Sequence, residues 1–111
     1  MHELGITRNI IGIVSEAAAG RPVRKVTLEV GKLSGVMAEA IAFCFDAIAK
    51  GTPLEGAKLA IQEIDGWGRC SACGSEFAMP TLYTPCPCGS RLTERLYGEE
   101  LKVKTMELET A

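Results

Sequence analysis

Apolar residues recur at helical spacing from Leu4 to Ala19, where Ile6, Ile10, Ile13, Val14 and Ala17 form a stripe that stops at Gly20 and Pro22. The tract VRKVTLEVG that follows switches to a period of two, with Val26, Leu28 and Val30 inward and Thr27 and Glu29 on a wetter face. It reads as a strand closed by Gly31. After a Ser34-Gly35 turn, helical spacing returns in VMAEAIAFCFDAIAKG, with Ile41, Phe45 and Ile48 on one stripe and Gly51 as a left-handed cap behind Lys50. KLAIQEI alternates Leu59 and Ile61 inward against Ala60 and Gln62. ELKVKTMELE begins as a strand whose alternation slips between Val103 and Met106, as a bulge near Thr105 would cause.

This order predicts an α+β fold in which two helices cover one face of a small three-stranded sheet. Between Asp65 and Gly98 the composition shifts to Gly, Ser, Pro and Cys, too poor in aliphatic residues to order itself without help. The expected organisation is an α+β body from 1–64 and 99–111 with an inserted, rubredoxin-like zinc-knuckle subdomain over 65–98. Gly66, Gly68 and Gly98 are candidate hinges, which would permit exchange between protomers, so a monomer or weak homodimer is expected.

A chain of 111 residues with 47% hydrophobic content suits one compact body with a small appendage. Net charge is -2 and the cations are scattered, so there is no footprint for a nucleic-acid backbone and no nucleic acid is expected as a partner. No apolar run is long enough to span a membrane, and MHELGITRN lacks the layout of a signal peptide, so the expectation is a cytoplasmic protein. With one histidine at the terminus and no glycine-rich phosphate loop followed by lysine, no catalytic constellation can be assembled and the chain is not expected to be an enzyme.

Candidate chemistry lies in two places. Cys70-Ser-Ala-Cys73-Gly74 is a knuckle whose two thiolates chelate one ion, and twelve residues later Cys86-Pro-Cys88-Gly89 supplies a second pair. Four thiolates closing on Zn(II) leave no open coordination position, so this metal would hold structure. Iron in a rubredoxin-like site and reversible disulfides are the rival uses of the same sulfurs. The second pair is one residue shorter than usual, which is expected to strain its chelate. Cys44, flanked by Phe43, Phe45 and Ile48, is expected in the core. Trp67 is expected at the junction of body and knuckle, and Lys102 and Lys104 on a solvated strand face.

The second place is the N-terminus. His2 is too large for the initiator to be removed, so a free Met1 amine followed by an imidazole is expected. The amine, the His2 backbone nitrogen and ring Nδ1 can occupy three corners of a plane, a donor set that suits Ni(II) or Cu(II) over Zn(II), with Glu3 or a partner as fourth donor. Taken alone, a histidine in this position is ordinarily frayed and solvated.

MHELGITRNI, VTLEVGKLSGV, FCFDAIAKGTPLEGAKLAIQE, the two cysteine pairs and GEELKVKTMELE, in this order, resemble the HypA/HybF hydrogenase nickel-insertion proteins. The resemblance implies a cytoplasmic metallochaperone that binds Ni(II) at Met1, His2 and Glu3. It also implies Zn(II) at Cys70, Cys73, Cys86 and Cys88, and work with the HypB GTPase to load the large subunit of a [NiFe] hydrogenase. The family's usual second pair is C-P-x-C, from which Cys86-Pro87-Cys88 departs. The competing reading is a zinc-knuckle interaction adaptor without nickel cargo.

Overall fold

The computed structural model of the chain describes residues 2–110, with His2 described by its backbone alone. In order, the elements are α1 His2–Ala18, β1 Val23–Gly31, α2 Ala38–Ala49, β2 Lys58–Ile64, β3 Trp67–Cys70, β4 Glu76–Ala78, β5 Thr93–Tyr97 and β6 Leu101–Leu108. They make two three-stranded sheets, ordered β2-β1-β6 and β4-β3-β5. The chain divides into two compact units, one of residues 1–29, 37–62 and 102–111, the other of residues 30–36 and 63–101.

In the first unit α1 packs against α2, and Ile10, Val14, Val26, Leu28, Ile41, Phe45 and Leu54 are buried. The α1 stripe is rotated from the one the periodicity predicts. Thr7, Ile10, Ile11, Val14 and Ala18 are buried, whereas Ile13 is 61% exposed and Ala17 is also exposed. The separations from Thr7 to Ile11, Ile11 to Val14 and Val14 to Ala18, of four, three and four, fit the 3.6-residue turn, and Thr7 joins this face because its hydroxyl donates to the Glu3 carbonyl at 2.6 Å.

Strand β1 lies at the centre of its sheet and is covered more fully than simple alternation predicts: Thr27 is buried too. On that wetter face Lys102 and Lys104 reach Glu29 at 3.3 and 3.9 Å, and Lys104 also donates to Gln62 at 3.1 Å. Both lysines are exposed, as a solvated strand face requires. Along β6, Val103 and Met106 are half-buried with exposed Lys104 and Thr105 between them, so the burial slips where the alternation does. Gly51 adopts a φ of 79° just behind α2.

One expectation needs correcting. Cys44 is half-buried rather than in the core, and its neighbour Phe43 is 87% exposed, because only Ile41, Phe45 and Ala49 of α2 turn inward. Within its own unit Trp67 stands on the outward side of β3, and its indole N–H donates to Glu76 at 3.2 Å.

The second unit is built around β3, which pairs antiparallel with β4 and β5. Gly68 and Cys70 face inward and Trp67 and Arg69 outward. Arg69 stands opposite Glu76 on one side and Glu94 on the other and pairs with both, at 3.1 and 3.4 Å. Residues 30–36 belong to this unit through backbone bonds from Gly31 to the Glu100 carbonyl, from Lys32 to that of Ile64 and from Leu33 to that of Gly98, at 2.6, 2.9 and 2.7 Å. Leu33 enters a small core with Cys70, Phe77, Met79 and Cys86. The approach is close at Gly31, where an added Cβ would lie 1.9 Å from the Gly98 oxygen. Gly31→Ala is therefore expected to destabilise the protein by about 3 kcal/mol. Gly12→Ala, on an open face of α1 with nothing within 4 Å, should stabilise it by about 1 kcal/mol. Urea unfolding measures both, and equal midpoints would refute the contrast.

Candidate metal centre

Each cysteine pair sits on a tight backbone loop with the same hydrogen-bond plan. In the first, Cys70 N–H donates to the Ser75 carbonyl at 2.8 Å and Gly74 N–H to the Cys70 carbonyl at 2.9 Å. In the second, Cys86 N–H donates to the Ser90 carbonyl at 3.0 Å and Gly89 N–H to the Cys86 carbonyl at 2.8 Å. Gly74 and Gly89 have φ values of 77° and 95°, in the left-handed region that a side chain disfavours. In both loops the amide of the second cysteine points at the sulfur of the first: Cys73 to Cys70 at 3.4 Å, and Cys88 to Cys86 at 3.5 Å. The shorter C-P-C pair thus preserves the turn and its amide-to-sulfur contact, with one residue fewer in the loop.

These loops bring Cys70, Cys73, Cys86 and Cys88 together with all four sulfurs within 4.8 Å of one another. Two approaches cross between the loops, Cys70 to Cys88 at 3.7 Å and Cys73 to Cys86 at 3.6 Å. A tetrahedron with metal–sulfur bonds of about 2.3 Å has edges of about 3.8 Å, so the donors fit a tetrathiolate ion. All four are free thiols, Cys70 and Cys86 buried and Cys73 and Cys88 exposed.

Their electrostatics differ accordingly. The Cys73 amide, aided by that of Ala72, pulls the Cys70 thiol down to about 6 against the opposing effect of burial. Ser75, through its hydroxyl and its amide, lowers Cys73. The Cys88 amide favours the Cys86 thiolate, but burial and the three neighbouring sulfurs together outweigh it and push this thiol up to about 12. A bound dication would reverse that last effect by supplying the missing positive charge.

At the other candidate site, Met1 and the His2 side chain lie outside the described residues. Glu3 is placed clearly. Its Oε2 accepts the Met37 amide at 3.1 Å, so a carboxylate from the first turn of α1 caps the start of α2, where Met37 has no side-chain cap of its own. The Met37 amide and then the residue's own amide hold the Glu3 carboxyl down at about 2. Sequence patterns carried no sign of this contact, which joins positions 34 apart.

The HypA family, described as hydrogenase/urease nickel incorporation metallochaperones, has a profile that matches residues 1–108 of this chain. The chain belongs to the HypA family. Among curated HypA relatives, the hydrogenase maturation factor of Rippkaea orientalis is 56% identical over 110 residues, covering 98% of this chain and 96% of its own length. That of Nostoc sp. PCC 7120 is 52% identical over 109 residues, with the same coverage. The solution structure of the Ni metallochaperone HypA from Helicobacter pylori covers 96% of each chain with a TM-score of 0.68 and 18% identity. A second HypA solution structure aligns over 98% of this chain and 97% of its own with a TM-score of 0.71 and 20% identity. Both share the fold. Membership places the chain among nickel metallochaperones of hydrogenase maturation, which carry metal and are not enzymes.

Two outcomes are expected. Because only thiolates bind the ion, Zn(II) affinity should rise with pH from about 6 to 8 with proton release on binding, measured by competition with a chromophoric chelator. Cys86→Ser should destabilise the second unit more than Cys88→Ser, since the first sulfur is buried. A pH-independent affinity would refute the thiolate site. The Glu3 carboxyl titrates lower in the folded protein than its ordinary 4.5, so its contribution is present above that value and is lost as pH falls toward about 2. Thermal midpoints of Glu3→Gln should therefore fall less steeply through this window than those of the parent, and parallel curves would remove the capping role.

Proposed function

We propose that this chain receives Ni(II) at Met1, His2 and Glu3 and passes it to the large subunit of a [NiFe] hydrogenase in the cytoplasm, together with the HypB GTPase. The observation that carries this reading is the family match beginning at residue 1, so that the Met-His-Glu start lies inside the matched region. Two features support the chemistry. Helix α1 starts at His2, and the first amide of a helix has no acceptor in a preceding turn, which leaves the His2 nitrogen available as a metal donor. The Glu3 carboxylate accepts the Met37 amide, which fixes the first turn of α1 beside that donor. Nitrogen donors in a plane suit Ni(II), and a chain with a single histidine must complete such a site with other donors, which keeps the ion transferable.

In the same reading Zn(II) is held by Cys70, Cys73, Cys86 and Cys88 and serves to order the second unit. The sulfur geometry and the full coordination sphere support a structural ion, and the soft donors suit zinc. None of these ligands belongs to the N-terminal set, so the two metals can be tested separately.

The deciding experiment uses protein with its native N-terminus, because a leading tag would turn the Met1 amine into an amide. Elemental analysis and Ni(II) titration should give one tightly held zinc and one further nickel equivalent per chain. His2→Ala should abolish the nickel and leave zinc content and circular dichroism unchanged. Undiminished nickel affinity in that variant would overturn the N-terminal site, and zinc alone in the parent would make the chain a zinc-knuckle adaptor.

A further inference from the structure

The first unit carries a cationic concavity that neither metal set uses. Arg24 and Lys25 at the start of β1, Gly56 and Lys58 at the entry to β2, and Glu107 near the end of β6 line an open cavity of about 390 Å³. Arg24 is ion-paired with Glu107. Lys25 and Lys58, in contrast, have no ion-pair partner among the described residues, whereas Lys102 and Lys104 of the same sheet are held by Glu29. Gly56 leaves the wall open, since a Cβ built there would meet nothing within 4 Å.

Three cations and one carboxylate therefore meet in one depression of a chain whose overall charge is -2. Lys25 on β1 and Lys58 on the neighbouring β2 bring two ammonium groups to a lining whose single carboxylate, Glu107, is already paired with Arg24. An incoming anion would supply the counter-charge that they lack. The chemistry already present in the cavity is that of a carboxylate on a guanidinium, and a single carboxylate occupies at most two of the five arginine donors. Phosphate sites are typically built from converging backbone amides at helix starts or glycine nests, while this lining consists of side chains on strands. The cavity has no aromatic wall on which a nucleic-acid base could stack.

We propose that this concavity is a docking site for the carboxylate side chains of an acidic peptide segment on a protein partner. Lys25 and Lys58 carry the recognition, and Arg24 adds the donors that Glu107 leaves unused. The surface would serve to recruit a partner, a task separate from holding either metal.

The test is a titration of the full-length, zinc-loaded protein with a fluorescein-labelled hexaglutamate peptide, followed by anisotropy and by amide chemical shifts. Shifts should cluster at Arg24, Lys25, Gly56, Lys58 and Glu107, and affinity should fall as salt rises from about 50 to 200 mM. Lys25→Glu with Lys58→Glu should weaken binding by about tenfold or more, and Lys25→Gln with Lys58→Gln by less, while Lys102→Gln with Lys104→Gln leaves it unchanged. Zinc content and nickel titration of all three double variants should match the parent, so the outcome is independent of the nickel reading. Shifts centred elsewhere, or affinity insensitive to both Lys25 and Lys58 variants, would overturn the site. Displacement of the peptide by an equal concentration of inorganic phosphate would overturn its assignment to carboxylates.

Discussion

Of the five residues in the buried core of the second unit, two are cysteines whose sulfurs belong to the four-donor cluster, and the other three are Leu33, Phe77 and Met79. Burial of three large apolar side chains at roughly 1.5–3 kcal/mol each is small beside the backbone entropy of ordering so long a segment, at about 1–2 kcal/mol per residue. Metal–thiolate bonding is the one interaction available on the scale required, about 10–16 kcal/mol in small zinc-dependent folds. The short strands, the flanking ion pairs of Arg69 and the paired loops all presuppose it. Surface pairs such as Arg69 with Glu76 and Glu94 contribute at most about 1 kcal/mol each, so they trim the sheet rather than create it.

The first unit depends on ordinary burial instead, and its special feature is at the start of α1. A residue assigned to nickel by family resemblance, Glu3, also fixes the start of α2 through the Met37 amide. That contact orients the first turn of α1, from which the His2 and Glu3 amides emerge. The charge of the carboxylate lies at a helix end where the dipole favours it.

What the sequence made legible follows from how local each signal is. Strand β1 and the Ile41 and Phe45 positions of α2 were readable because their periodicity lies within one element. The four cysteines were readable because each pair is formed within a few residues and closed by a glycine. Strands β3 to β5 were not, because their inward positions include Gly68 and Cys70 where a strand pattern would show aliphatic residues. Leu33 lies between Gly31, which closes β1, and the Ser34-Gly35 turn, and only the fold places it beside Cys70 and Cys86. The α1 stripe lies one step from the one its periodicity predicts because Ile13 is hydrophobic yet exposed, while Thr7 is polar yet buried through its bond to Glu3. The Arg24, Lys25 and Lys58 cluster needed the sheet order, since nothing along the chain joins β1 to the start of β2.

Within each cysteine pair one sulfur is sealed and the other faces water: Cys70 with Cys73, and Cys86 with Cys88. An ion held here would be anchored to the core by the sealed pair. The open pair presents an edge at which a solvent thiol or another chelator can approach without unfolding anything first. Affinity and exchange would therefore be separate properties: the equilibrium would be set by all four sulfurs, and the rate of ligand substitution by the two on the outside.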